Sequence, residues 1–99
     1  MGNVLESFAA LPVDMQARLA RMLAVIRENG LLHLPRDWVK QLDGKLWELR
    51  VTGRDGIARA VYVTATGQRM VIVHVFVKKT QKTPRRVLDL ACHRAKEIV

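Results

Sequence analysis

At residue 46 the spacing of the apolar residues changes, and that change decides which folds are open to the chain. Before it, Met15, Leu19, Met22, Leu23 and Ile26 recur at the spacing of one helix face. After it, "LWELRV" (46–51) alternates, with Trp47, Leu49 and Val51 on one side and Glu48 and Arg50 on the other. Periods of 3.6 and 2 cannot share one element, so helices come first and a sheet follows.

The helix reads over 12–29: Pro12 is suited to a first turn and Gly30 to a stop. Val4, Leu5, Phe8 and Ala9 share a helical face and predict a short leading turn, and "LPRDWVKQL" (34–42) predicts a short helix started by Pro35. "DGK" is a turn. Two further strands, 57–65 and 69–77, are set off by "GRDG" and "TGQ", which predicts a three-stranded antiparallel meander. The last strand is β-branched almost throughout, as expected of a strand covered on both faces. Thr83 and Pro84 read as an N-cap and a first-turn proline, and Val87, Leu88, Ala91, Ala95 and Ile98 give a closing helix its apolar stripe. The expectation is a single α+β domain over 1–99, with N-terminal helices packed on a small antiparallel sheet and a C-terminal helix.

Composition narrows the function. A length of 99 residues suits one core. The longest apolar run, 70–77, falls well short of the roughly 20 residues that span a bilayer. The first residues lack the pattern of a secretory signal, and Glu6 stands where myristoylation requires Ser or Thr. One cysteine, Cys92, makes no internal disulfide, which fits a reducing cytoplasm. The formal charge of +8 favours a polyanion such as nucleic acid, or an acidic protein, as partner.

The cations are concentrated in "FVKKTQKTPRR" (76–86), where Lys78, Lys79, Lys82, Arg85 and Arg86 occur with no acid among them. Arg85 and Arg86 fall in the first turn of a predicted helix, where the helix dipole disfavours cations and free backbone N–H groups attract anions. Such a local conflict marks either an anion site or a solvated charge run. Arg59 lies inside a strand among Ile57, Ala58, Ala60 and Val61, where it needs either an anion or an ion pair with Glu48 on the adjacent strand. His74 alternates with Ile72, Phe76 and Lys78, which suits an acid–base group or a satisfied core histidine. His33, His74, His93 and Cys92 show no metal-ligand spacing, and the aspartates are scattered, so neither a metal nor a cofactor is expected. Trp38 and Trp47 suit core packing better than base stacking.

Taken together, "GKLWELRV", "IARAVYV" and "VIVHVFVKKTQKTP" followed by a helix resemble the RelE/HigB-type toxins of type II toxin–antitoxin systems, over about residues 5–99. The nearest pattern is that of the phage-derived branch of the RelE/ParE superfamily. The resemblance implies a cytoplasmic ribonuclease that cuts mRNA at the ribosome and is silenced by a cognate helix-turn-helix antitoxin. It assigns the motif arginines to Arg50 and Arg59, the paired lysines to Lys78 and Lys79, the third lysine to Lys82 and the preceding histidine to His74. Arg59, Lys78, Lys79 and Lys82 would then be catalytic, with Arg50, His74, Arg85 and Arg86 holding RNA.

The chemistry suits these residue types. RNA is cleaved without metal when its 2′-OH attacks the adjacent phosphate, and cations stabilise the charge that develops on the phosphoryl oxygens. A lysine moves protons near neutral pH only if neighbouring cations and burial favour its neutral form, and Lys78, Lys79 and Lys82 crowd one another in sequence. The sequence departs from the family pattern in three places. It reads helical almost from its start where an opening strand is usual, it has "ARAVY" where two more aromatics are usual, and Val75 follows His74 where glycine is usual. Two alternatives therefore stand beside the nuclease: a gyrase-poisoning toxin of the same fold, and an inactive toxin relic that only binds its antitoxin.

Overall fold

The computed structural model describes residues 4–31, 34–54, 56–65, 69–78 and 84–97, with Ala65 and Lys78 described by their backbones alone. Helix α1 (Val4–Ala9) leads into α2 (Val13–Asn29), and a single 3₁₀ turn (Arg36–Trp38) leads into β1 (Val39–Asp43). Strands β2 (Leu46–Gly53), β3 (Gly56–Ala65) and β4 (Arg69–Lys78) follow, and α3 (Arg85–Ala95) comes last. The strands form one antiparallel sheet in the order β1-β2-β3-β4.

Each boundary has a local cause. No side chain caps α2; its first turn is held by Met15 and Gln16 N–H groups donating to Pro12 O. The Gln16 amide donates back to Ala9 O and Leu11 O, at 3.0 and 2.8 Å, and so fixes the link from α1. Gly30 ends the helix with φ 83°, and its N–H reaches Ile26 O at 2.8 Å. Asp14 in the first turn suits the helix dipole, and its Oδ2 accepts the Arg54 N–H at 2.7 Å. That bond, with the Met15 and Asp14 side chains lying close over Gly53, ties the end of β2 to the start of α2.

Three expectations need correction. The segment 34–42 is not a helix: Pro35 starts only the 3₁₀ turn, and Val39–Asp43 pairs with β2, which makes the sheet four-stranded. A helix that short is marginal by itself, whereas the edge of β2 offers backbone partners and a place for Val39 in the core. The second correction concerns the face of β4. The register shifts between Val61 and Tyr62, which pair with His74 and Ile72, so Val73 has no cross-strand partner. This bulge sends Ile72 to the core under α2 while Phe76 packs in the core under α3. His74 therefore shares a face with Phe76 but not with Ile72. Pro12 and Pro84, each expected inside a first turn, sit instead at the N-cap positions of α2 and α3, and Thr83, expected as the N-cap of α3, lies outside the described residues.

Both faces of the sheet are covered. Met15, Leu19, Met22 and Ile26 of α2 pack on Leu49, Val51, Ala58, Ala60, Tyr62 and Val75. Ala91 and Ala95 of α3 pack on Leu46, Val61, Val63 and Val73. Among the described residues, no helix is long and apolar enough to cross a membrane.

Candidate functional site

The α3 face of the sheet is read most clearly in rows across the strands. Leu46, the first residue of the face on β2, lies with Val63 and Val73 in the apolar core beneath Ala91 and Ala95. The next row runs Lys40, Glu48, Val61, His74 across β1 to β4. The row after it runs Arg50, Arg59, Phe76, and the last described row is Thr52, Ile57, Lys78. The face thus changes from apolar to charged along the strands, and the arginines of two neighbouring strands stand side by side.

Burial makes this charge consequential. Glu48 is 0% exposed and Arg59 7%, and Arg59 Nε lies 3.4 Å from Glu48 Oε2. The contact is close enough for an ion pair but not angled as a hydrogen bond. Both Glu48 oxygens, Arg59 Nε and Nη1, and Arg50 Nε are buried without a hydrogen bond among the described residues. Ions taken out of water are costly unless their partners compensate, so Glu48 and Arg59 depend on each other. Burial lowers the pKa of Arg59, Glu48 opposes that shift, and Arg50 adds to it by repulsion. Of the two readings open for Arg59, the ion pair with Glu48 is present, and Arg50 adds a second guanidinium beside it.

His74 is the other buried polar group of the face. Its ring stacks on Phe76 with centroids 5.7 Å apart and planes 22° from parallel. Arg94, which reaches over from α3, donates from Nη1 to Val73 O at 2.6 Å and approaches His74 Nδ1 at 3.4 Å. Burial first, and then the Arg94 charge, push the pKa of His74 down from its usual value. Sequence reasoning missed Arg94. Its position three residues after Ala91, beside the apolar stripe, was the signal that it reaches the sheet.

The remaining candidates are placed differently. Arg85 and Arg86 are exposed in the first turn of α3, and Arg85 Nε pairs with Asp89 Oδ1 at 3.3 Å. The backbone of Lys78 closes β4 opposite Ile57, and Lys79 and Lys82 lie outside the described residues. The structure therefore brings Arg50, Arg59 and His74 together on one face and leaves Arg85 and Arg86 on the surface of α3. Among the described residues no group of three His, Cys, Asp or Glu side chains is placed to hold a metal ion.

The profile of the family described as "Phage derived protein Gp49-like (DUF891)" matches residues 6–96. The chain belongs to this family. Gp49-like proteins form part of the RelE/toxin-like superfamily, which makes this a toxin-like protein. No curated protein matches the chain. The Gp49-like match runs from α1 past the end of α3, and so takes in both arginines, Glu48, His74 and Arg94.

Proposed function

We propose that this Gp49-like protein is the toxin of a type II toxin–antitoxin pair, of the RelE/HigB type, and a metal-independent endoribonuclease that cuts mRNA at the ribosome. Its partner is a cognate helix-turn-helix antitoxin, and it works in the cytoplasm. Family membership supports the toxin reading, and the cross-strand arginine pair supports the nuclease reading. Arg50 and Arg59 are neighbours in register, with one fully buried carboxylate behind them. Two guanidiniums beside one carboxylate leave a positive excess, which suits phosphate oxygens.

In this mechanism the RNA 2′-OH attacks the adjacent phosphate, the P–O5′ bond breaks, and a 2′,3′-cyclic phosphate and a 5′-hydroxyl result. Arg59, held by Glu48, stabilises the charge that grows on the non-bridging oxygens, and Arg50 holds the strand in line. Lys78, Lys79 and Lys82 move the protons, and Arg85 and Arg86 draw the RNA towards the sheet. The test is cleavage of a defined mRNA by the purified chain, with and without ribosomes and in the presence of a chelator. New 5′-hydroxyl ends that persist in chelator are expected. Arg59→Lys should slow their formation by about 10²–10³-fold, and Lys79→Ala should abolish most of it.

The buried Arg59–Glu48 pair also favours a second reading, in which the arginine serves the fold and the chain is a non-catalytic binder. Growth arrest with intact mRNA and an SOS response would identify a gyrase poison. No effect on growth, with an antitoxin still bound, would identify a relic.

A further inference from the structure

The bulge in β4 and the last turn of α3 meet at one side chain. Val73, the residue without a cross-strand partner, has its carbonyl capped by Arg94 Nη1 at 2.6 Å. The same nitrogen stands 3.4 Å from Nδ1 of His74, the next residue along. A guanidinium has donors and no acceptor, so the ring nitrogen it meets must present a lone pair. In a neutral imidazole the proton then sits on the other nitrogen, Nε2.

We propose that Arg94 is a positioning residue that holds His74 as its Nε2–H tautomer, so that His74 meets the RNA phosphate as a neutral hydrogen-bond donor and not as the proton carrier. This rests on the ribonuclease reading for the identity of the anion, but not for the tautomer. Protonation at Nδ1 would set an N–H against an N–H and a cation against a cation. The surroundings act in the same sense: burial and the Arg94 charge both disfavour the imidazolium. The charged groups nearest in register are Glu48 two strands away, Lys40 at the far end of the same row, and Arg59 in the next row beside Phe76. The Phe76 ring stacked on His74 further limits its rotation. A neutral imidazole with a fixed N–H still polarises an oxygen, and it does so at any pH where the ring remains uncharged.

The test reads the ring directly. Long-range ¹H–¹⁵N spectra of the full chain at pH 7 should show His74 with a protonated Nε2 and a bare Nδ1. In Arg94→Met the two tautomers should mix, and Arg94→Lys, which keeps a donor, should restore part of the bias. A parent ring found as the Nδ1–H form or as imidazolium overturns the proposal, and so does an unchanged tautomer in Arg94→Met. None of these outcomes depends on RNA being cut, so a failure of the nuclease reading is seen separately. For cleavage, His74→Gln keeps an N–H and should stay within about tenfold of the parent with the same pH profile, whereas His74→Phe should lose about 10²-fold or more. Equal losses in both variants, with a flattened pH profile, would make His74 the proton carrier and sink the proposal.

Discussion

The two faces of the sheet bury their residues for different ends. Under α2, the side chains of β2, β3 and β4 are Leu49, Val51, Ala58, Ala60, Tyr62 and Val75, an apolar surface closed by Met15, Leu19, Met22 and Ile26. Under α3 the same strands contribute Glu48, Arg59 and His74, which are buried as deeply as the aliphatics, and half-buried Arg50. Hydrophobic burial on the first face stabilises the fold without further conditions. On the second, the ions stabilise only jointly, because each one left alone is a charge in a poor solvent. A face that is costly to build and easily upset fits the anion site proposed above, and the α2 face supplies the stability that tolerates it.

The sharpest break of this contrast uses adjacent residues of β2. Leu49→Ala, on the α2 face, should cost about 2–5 kcal/mol by leaving a cavity. Glu48→Ala, on the α3 face, should cost about 3–5 kcal/mol although it removes a polar group, because Arg59 is left buried without its carboxylate. The discriminating protein is the double variant Glu48→Met with Arg59→Met. Urea denaturation should find it close to the parent or up to about 1–4 kcal/mol more stable, while the RNA cleavage proposed for the parent should be lost. If the double variant is as unstable as Glu48→Ala, the charges belong to the fold and the contrast between the faces fails.

A smaller loss is expected where the α2 face is tightest. A Cβ built on Gly53 would stand 2.6 Å from Met15 Cγ and 3.0 Å from Asp14 Oδ2. Gly53→Ala must therefore displace the Met15 side chain or the start of α2, at about 1–3 kcal/mol, and should weaken the Asp14 bond to Arg54 N–H. A double-mutant cycle with Met15→Leu should give a coupling of about 0.5–3 kcal/mol. Strict additivity in thermal denaturation would mean that the added methyl is accommodated without involving Met15.

Much of the fold was legible because periodicity reports burial. The stripe of α2, the alternation of β2 and the β-branched run of β4 were each read correctly, and the Glu48–Arg59 contact is one of the two readings that the sequence left open for Arg59. What sequence spacing could not supply was register. The bulge at Val73 shifts the side-chain period by one residue, which moved Ile72 away from the face of His74. The sheet edge similarly overrode the local signal in 34–42, where Pro35 suggested a helix and β2 captured the chain. Arg94 escaped notice for a related reason: its place beside the stripe of α3 signals that it reaches the sheet, but not that it meets the Val73 carbonyl at the bulge.

The pH dependence of stability offers a gentler probe of the α3 face. The folded pKa of His74 is depressed, so the folded protein binds fewer protons than the unfolded chain just below the usual histidine value. Its contribution is therefore complete above about pH 6.5 and is lost as pH falls through the lowered folded value. Denaturation midpoints measured from pH 7 to about pH 5 should decline in the parent and decline less in His74→Gln. Identical slopes would place His74 outside the linked set.

The smallest effect is expected on the solvent side of α3. Arg85 and Asp89 form an i,i+4 pair at 3.3 Å, with both side chains well exposed. Water screens such pairs, and with the cation N-terminal to the acid the order runs against the helix dipole, so Asp89→Ala should shift stability by at most about 0.5 kcal/mol. Binding should respond more than folding. Without Asp89 the first turn of α3 keeps Arg85 and Arg86 with no opposing charge four residues on, so retention of an RNA oligomer at low salt should rise and fall off more steeply as salt is added. A stability loss above about 1 kcal/mol, or unchanged retention at low salt, would show that this turn serves the helix instead of drawing in the polyanion.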